Sequence, residues 1–139
     1  MIVLDTNVIS ELMRVTPADP VLAWMALQQP DDLFTSSINV AEILYGIELL
    51  PKGKRRDALL HEADITFART FAGRILSFDE RAARAFSVLV ADRRLRGRPI
   101  QIADGQIVAI AKANDATLAT RNVGDFEGCG VKLVNPWEG

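Results

Sequence analysis

Three carboxylates in this chain sit where apolar sequence gives them no obvious reason to be. Asp5 ends the run Met1-Ile2-Val3-Leu4, Glu42 lies within Ile38-Asn39-Val40-Ala41-Glu42-Ile43-Leu44-Tyr45-Gly46, and Asp104 lies within Ile100-Gln101-Ile102-Ala103-Asp104-Gly105-Gln106-Ile107. An unpaired carboxylate in apolar surroundings is costly, so several of them ask for a shared cationic partner. Asn122 and Asp125 add oxygen donors shortly after Thr117-Leu118-Ala119-Thr120. A set of oxygens without imidazole or thiolate suits Mg²⁺, with Mn²⁺ as the substitute. Such ions activate water and neutralise a phosphoryl group, which makes phosphodiester hydrolysis the expected chemistry. Each residue also has a plainer reading. Asp5 would serve as an N-cap, Glu42 as a solvent-facing helical acid, Asp104 as a cap or a complement to the helix dipole, and Asn122 and Asp125 as turn formers. Asp104 leans towards chemistry, because Ile107, Val108 and Ala111 continue its stripe and aim it at a core.

Positioning these groups requires strands that end where helices begin. Ile2 to Leu4 reads as a first strand, followed by a helix over Thr6 to Arg14. Asp19-Pro20 opens a second helix, Leu33 to Thr35 a second strand, and Ser36 or Ser37 caps a third helix running to Leu50. Lys54 to Phe71 reads as one long helix or two. Ile75 to Phe78 is a short strand, and Asp79 caps a helix to about Arg96. A helix from about Ile102 to Asn114, a strand over Thr117 to Thr120 and an edge strand over Val131 to Val134 complete the set. Alternating strands and helices imply an α/β fold with a largely parallel sheet. In such sheets ligands bind beyond the carboxyl ends of the strands, where Asp5 would stand.

With 139 residues and no linker or repeat, the expectation is a single domain spanning residues 1–139. No segment has the ~20 apolar residues a membrane helix requires. Met1 enters the first strand with no basic leader, and the lone Cys129 has no internal disulfide partner; both lead to an expectation of a cytoplasmic protein. The formal charge of −2 gives no broad basic coat, but Lys52, Lys54, Arg55 and Arg56 form one basic run and Arg93, Arg94, Arg96 and Arg98 another. Beside an acidic pocket such runs suit a phosphodiester backbone; they read equally as solvated helix ends. His61 is the only histidine and lies in a charged helix, which removes histidine-based catalysis and ligation. Nucleotide-cradling glycine motifs are absent.

The order and spacing of several segments give a further handle. Leu4-Asp5-Thr6-Asn7-Val8-Ile9-Ser10-Glu11, Asn39 to Gly46, Ala72-Gly73-Arg74-Ile75-Leu76-Ser77-Phe78-Asp79, Ile102 to Ile107, Ala119-Thr120-Arg121-Asn122 and Asn135-Pro136-Trp137 span nearly the whole chain. Together they resemble the PIN-domain ribonucleases, specifically the VapC toxins of type II toxin–antitoxin pairs and their FitB-like group. The resemblance implies a three-layer α/β/α sandwich and Mg²⁺-dependent endoribonuclease activity, with Asp5, Glu42 and Asp104 as the metal-binding acids. Asn7 and Thr120 would orient ligands or water. Relatives often carry a fourth acid after Ala-Thr-Arg. Here Asn122 holds that place, leaving its carbonyl, or Asp125 one turn on, as the remaining oxygen donor. Also implied are a DNA-binding antitoxin whose C-terminal tail inhibits the toxin, a homodimer, and operator DNA reached only through the antitoxin.

The alternative is a catalytically weak PIN-like module that binds RNA or a partner, to which Asn122 points. A phosphatase with Asp5 as nucleophile would want a second acid two residues on, where this chain has Asn7. A pure scaffold leaves the buried carboxylates without a reason.

Overall fold

Side chains alternate across strand β1 (Ile2–Leu4), and that alternation splits the molecule into two cores. The computed structural model describes residues 1–139. Val3 joins Leu89, Ile107, Val108 and Leu118 on one side of the sheet. Leu4 joins Val8, Ile9, Trp24, Ile43, Ile47, Phe67 and Ala119 on the other. Val3, Leu4 and Leu118 are fully buried, as a parallel sheet covered on both faces requires.

The remaining elements supply these covers. Helices α1 (Thr6–Leu12), α2 (Asp19–Ala26), α3 (Ser37–Glu48) and α4 (Lys54–Ile65) contribute to the first core. Helices α5 (Glu80–Leu95) and α6 (Ile102–Ala113) form the second layer, packed closely on each other. Strands β2 (Leu33–Ser36), β3 (Ile75–Leu76), β4 (Thr117–Ala119) and β5 (Leu133–Val134) complete a five-stranded sheet in the order β3-β2-β1-β4-β5. Every pairing is parallel, with Val3 opposite Phe34 on one side and Leu118 on the other. The expected α/β/α sandwich with a mostly parallel sheet is therefore present.

Helix boundaries follow local chemistry. Pro20 sits in the first turn of α2, where a missing N–H costs nothing. Asp79 accepts a hydrogen bond from the Ala82 N–H at 2.9 Å and starts α5 as expected. The Lys54 to Phe71 region is one continuous helical run, as the first of the two expectations had it: α4 widens at its end into a π-helical turn over Thr66–Thr70 that brings Phe67 and Phe71 into the core. Strand order sets the position of the site. The chain steps from β1 to β2 and β3 in one direction and from β4 to β5 in the other, so the crevice opens at the carboxyl ends of β1 and β4.

Candidate active site

Asp5 stands in that crevice, 5% exposed, with its backbone N–H donating to the Ala119 carbonyl at 2.9 Å. Its carboxylate is ringed by donors. Oδ1 accepts from the Thr6 N–H at 2.8 Å and the Asn39 side-chain amide at 3.2 Å, and Oδ2 accepts from the Thr120 hydroxyl at 2.8 Å. Cap and buried acid are thus the same residue: Asp5 is the N-cap of α1 and also the centre of a polar network. Burial pushes its carboxyl up; the Thr120 and Thr6 hydrogen bonds oppose this, and the charge of Glu42 adds to the rise.

Glu42, half-buried on α3, is joined to Asp5 through Thr6. The Thr6 hydroxyl donates to Glu42 Oε1 at 2.7 Å and accepts from the Asn39 amide at 3.0 Å. Asn39 is held in turn by Ser36, whose hydroxyl donates to Asn39 Oδ1 at 2.5 Å and receives the Asn39 backbone N–H at 3.2 Å. The capping interaction of α3 therefore doubles as the support for two acids on different elements.

Asp104 lies in the first turn of α6, half-buried, ahead of the fully buried Ile107, Val108 and Ala111. Its carboxyl is pushed up to about 6, first by desolvation, then by the charges of Asp5, Glu42 and Asp125. Carboxylates from α1's cap, α3, α6 and the turn after β4 thus share one electrostatic neighbourhood. None of Asp5, Glu42 or Asp104 takes part in a salt bridge. No three acidic side chains converge as a closed ligand set.

Asn122 and Asp125 belong to the turn after β4, where a 3₁₀ segment spans Val123–Phe126, and both are exposed. They line, with Asp104, a polar cavity of about 590 Å³. Asn7 and Thr120 lie against Asp5. Asn7 donates to the Thr120 hydroxyl at 3.3 Å and accepts from the Arg121 N–H at 3.2 Å, clamping the end of β4 to α1. Arg121 is stacked 4.9 Å above the Trp137 ring, and Asn135 donates to its carbonyl at 3.4 Å, so the last residues close back on the site.

Three results depart from what the sequence suggested. Thr6 and Asn39 are as deeply involved as the acids, although only their place in the motifs hinted at it. The Arg93–Arg98 run is not one solvated patch: Arg93 is 5% exposed and donates to the carbonyls of Arg98, Asp125 and Glu127. Arg56 in the other run pairs with Glu48. His61 is exposed and Cys129 is buried, leaving an oxygen-only set of donors at the crevice.

Comparison with known proteins agrees with this fold. The family model for the PIN domain matches residues 2–127. The chain is 43% identical over 138 residues to a VapC ribonuclease, Y4jK, of Sinorhizobium fredii, covering 99% of both chains. It is 41% identical over 137 residues to Toxin FitB of Neisseria gonorrhoeae, again covering 99% of both. A solved structure of FitAB bound to an IR36 DNA fragment superposes with a TM-score of 0.92 at 41% identity, over 99% of this chain and 96% of that one. No helix here is long and apolar enough to cross a membrane. On the fold and these relatives, the chain belongs to the PIN domain family, in its VapC- and FitB-type toxin branch.

Proposed function

We propose that this protein is a Mg²⁺-dependent endoribonuclease, the toxin of a type II toxin–antitoxin pair. One observation carries the reading: Asp5, Glu42 and Asp104 are gathered at the sheet's carboxyl edge with no basic side chain to neutralise them. Carboxylate oxygen is the donor type a hard divalent cation takes, and the absence of histidine and cysteine at the crevice disfavours softer ions. Asp5, Glu42 and Asp104 would hold the ion, with Asn122 or Asp125 as a further oxygen. When bound, Mg²⁺ supplies an activated water and charge neutralisation at the phosphate.

The protein's own contribution is orientation. Thr6, Asn39 and Thr120 fix the Asp5 oxygens, so Asp5 has no rotational freedom to lose when a cation or substrate arrives. Thr6 does the same for Glu42. Arg121, exposed at the rim and stacked on Trp137, is a pre-organised contact for a backbone phosphate.

An antitoxin is the proposed partner, and the relatives' FitAB complex on DNA supports it. Beside Glu42 runs an apolar groove of about 740 Å³ between α1, α3 and α4, lined by Met13, Ile47 and Leu59 and edged by Arg14 and Arg55. It suits an amphipathic tail that reaches the acids and blocks them, with operator DNA held by the antitoxin alone. Val88 and Leu95, exposed on one side of α5, offer apolar surface for a homodimer. A cytoplasmic location is consistent with this role.

The test is cleavage of total cellular RNA by antitoxin-free protein with Mg²⁺, Mn²⁺ or EDTA, beside Asp5→Asn. Discrete cuts that need the metal and disappear in the variant are expected. Folded protein that binds RNA but never cuts it would favour the second reading, a binding module, for which Asn122 in place of an acid is the supporting observation.

A further inference from the structure

We infer that the polar cavity between the Arg98–Asp104 segment and the Asn122–Asp125 turn is a nucleotide subsite, taking one unpaired nucleotide of the RNA beside the scissile phosphate. This rests on the ribonuclease reading and extends it from activity to recognition.

The cavity has the right size and place. At about 590 Å³ it lies within the ~300–1,000 Å³ of small-ligand sites. That is room for one nucleotide. Asp104 lines it and also belongs to the acidic cluster, so an occupant sits next to the reacting centre. Pro99 and Ile100 are its only apolar side chains among charged and amide groups, which argues against an apolar ligand as the occupant.

Its walls are fixed by Arg93. This buried guanidinium donates from Nε to the Arg98 carbonyl at 2.7 Å and from Nη1 to the Asp125 and Glu127 carbonyls at 3.0 and 3.2 Å. It also reaches Cys129 Sγ at 3.2 Å. A buried cation that forms no salt bridge, with its donors spread over two segments, ties those segments at a set separation. The cavity is therefore a built feature.

Its lining offers groups that read bases. Gln101 precedes α6 and Asn122 precedes the 3₁₀ turn, yet neither side chain caps its helix, and neither amide has a hydrogen-bond partner within the protein. The Gln101 amide presents a donor and an acceptor side by side, matching the edge of an unpaired base, and whichever of Asn122 and Asp125 is not drawn to the ion adds a second polar group. A carboxylate of Asp125 left free of the ion disfavours a phosphate deep in the cavity and can accept from an exocyclic amino group. Arg98, exposed and only loosely paired with Glu127 at 3.8 Å, stands where it can stack on the base or hold its phosphate. The base therefore points in, with the phosphate towards Arg98.

The test uses the full chain carrying Gln101→Ala or Arg98→Ala, both exposed positions, with Lys132→Ala near the opposite end of β4 as the control cation. Fragment ends from a random-sequence single-stranded RNA pool give the base preference flanking the cut. Anisotropy of a short fluorescein-labelled single-stranded RNA, in EDTA, gives affinity independently of cleavage. Gln101→Ala should flatten the preference at one flanking position, and Arg98→Ala should weaken binding roughly tenfold and raise KM more than it lowers kcat. Lys132→Ala should alter neither. Unchanged base preference in Gln101→Ala with unchanged affinity in Arg98→Ala overturns the subsite, however well the protein cuts. If the wild type never cuts but Arg98→Ala still weakens RNA binding selectively over Lys132→Ala, the subsite stands and the nuclease reading falls.

Discussion

Thr6 holds Glu42 by its hydroxyl, Oγ1 to Oε1 at 2.7 Å, while its backbone N–H holds Asp5 Oδ1 at 2.8 Å. One residue thereby sets the relation between an acid at a strand end and an acid on another helix. Partners of this kind are worth about 10–100-fold in metal affinity or activity. Thr6→Val keeps the shape and the backbone bond but loses the hydroxyl, so RNA cleavage should fall by about that factor. Thr6→Ser should recover most of it. Equal cleavage rates for Thr6→Val and wild type would show that the hydroxyl has no part in placing Glu42.

Asn39 is fully buried and bonded to Asp5, Thr6 and Ser36. Asn39→Ala should cost about 1–3 kcal/mol, because it leaves buried acceptors without donors. Urea unfolding in EDTA measures this. A loss well below that range would mean that water replaces the amide without penalty.

The site was legible in the sequence where a polar residue broke an apolar pattern, and illegible where it agreed with a local rule. Asp5 interrupts a strand and Asp104 leads a stripe of buried residues, so both stood out. Asn39 three residues after Ser36 looks like ordinary helix-start chemistry, and Thr6 like an alternative cap; their second role depends on the start of α1 lying against α3. Arg93 is the clearest failure. Within Arg93-Arg94-Leu95-Arg96 nothing marks one arginine as buried, because its partners are carbonyls of residues up to Glu127. The parallel sheet was readable from alternation, but the π-helical turn over Thr66–Thr70 was not, since it follows from seating Phe67 and Phe71 in the core.

The acidity of Asp104 gives a test of the acidic cluster that needs no substrate. Its carboxyl is pushed from 3.8 to about 6 in the fold. A group with a raised folded pKa favours folding while protonated; that contribution is full below the unfolded pKa and is lost as pH climbs through the folded one. Metal-free protein should therefore lose stability between about pH 4 and 6 through this group. Asp104→Asn carries no charge to penalise, so its urea midpoint should exceed the wild type's at neutral pH, with the two converging in acid. Saturating Mg²⁺ should raise the wild-type melting temperature and leave Asp104→Asn nearly unmoved, since a ligand stabilises only the fold that binds it. Identical pH slopes for the two proteins would count against a shared acidic site.

Gly46 opens onto the groove beside Glu42, with no atom within 4 Å of where a Cβ would stand. Gly46→Leu should fill part of the groove while favouring the helix by about 0.5–1 kcal/mol. RNA cleavage should persist, and inhibition by the antitoxin should weaken by about tenfold or more, as expected when a docking pocket is obstructed. Undiminished inhibition would place the antitoxin's tail elsewhere.

Gly105 follows Asp104 and faces α5 at its closest approach. A Cβ there would lie 2.8 Å from a Val90 methyl and 3.0 Å from the Phe86 ring. α5 and α6 form the most extensive helix contact in the molecule, and Phe86 is itself fixed edge-on against Phe78 at 5.7 Å. Gly105→Ala should gain helix propensity of about 1 kcal/mol but lose about 1–3 kcal/mol to overpacking. The net result should be a lower urea midpoint. Because the displaced residue adjoins Asp104, the Mg²⁺-induced rise in melting temperature should shrink as well. A stabilised Gly105→Ala with an undiminished Mg²⁺ response would mean that α5 yields freely, and that the position of Asp104 does not depend on how tightly the two helices pack.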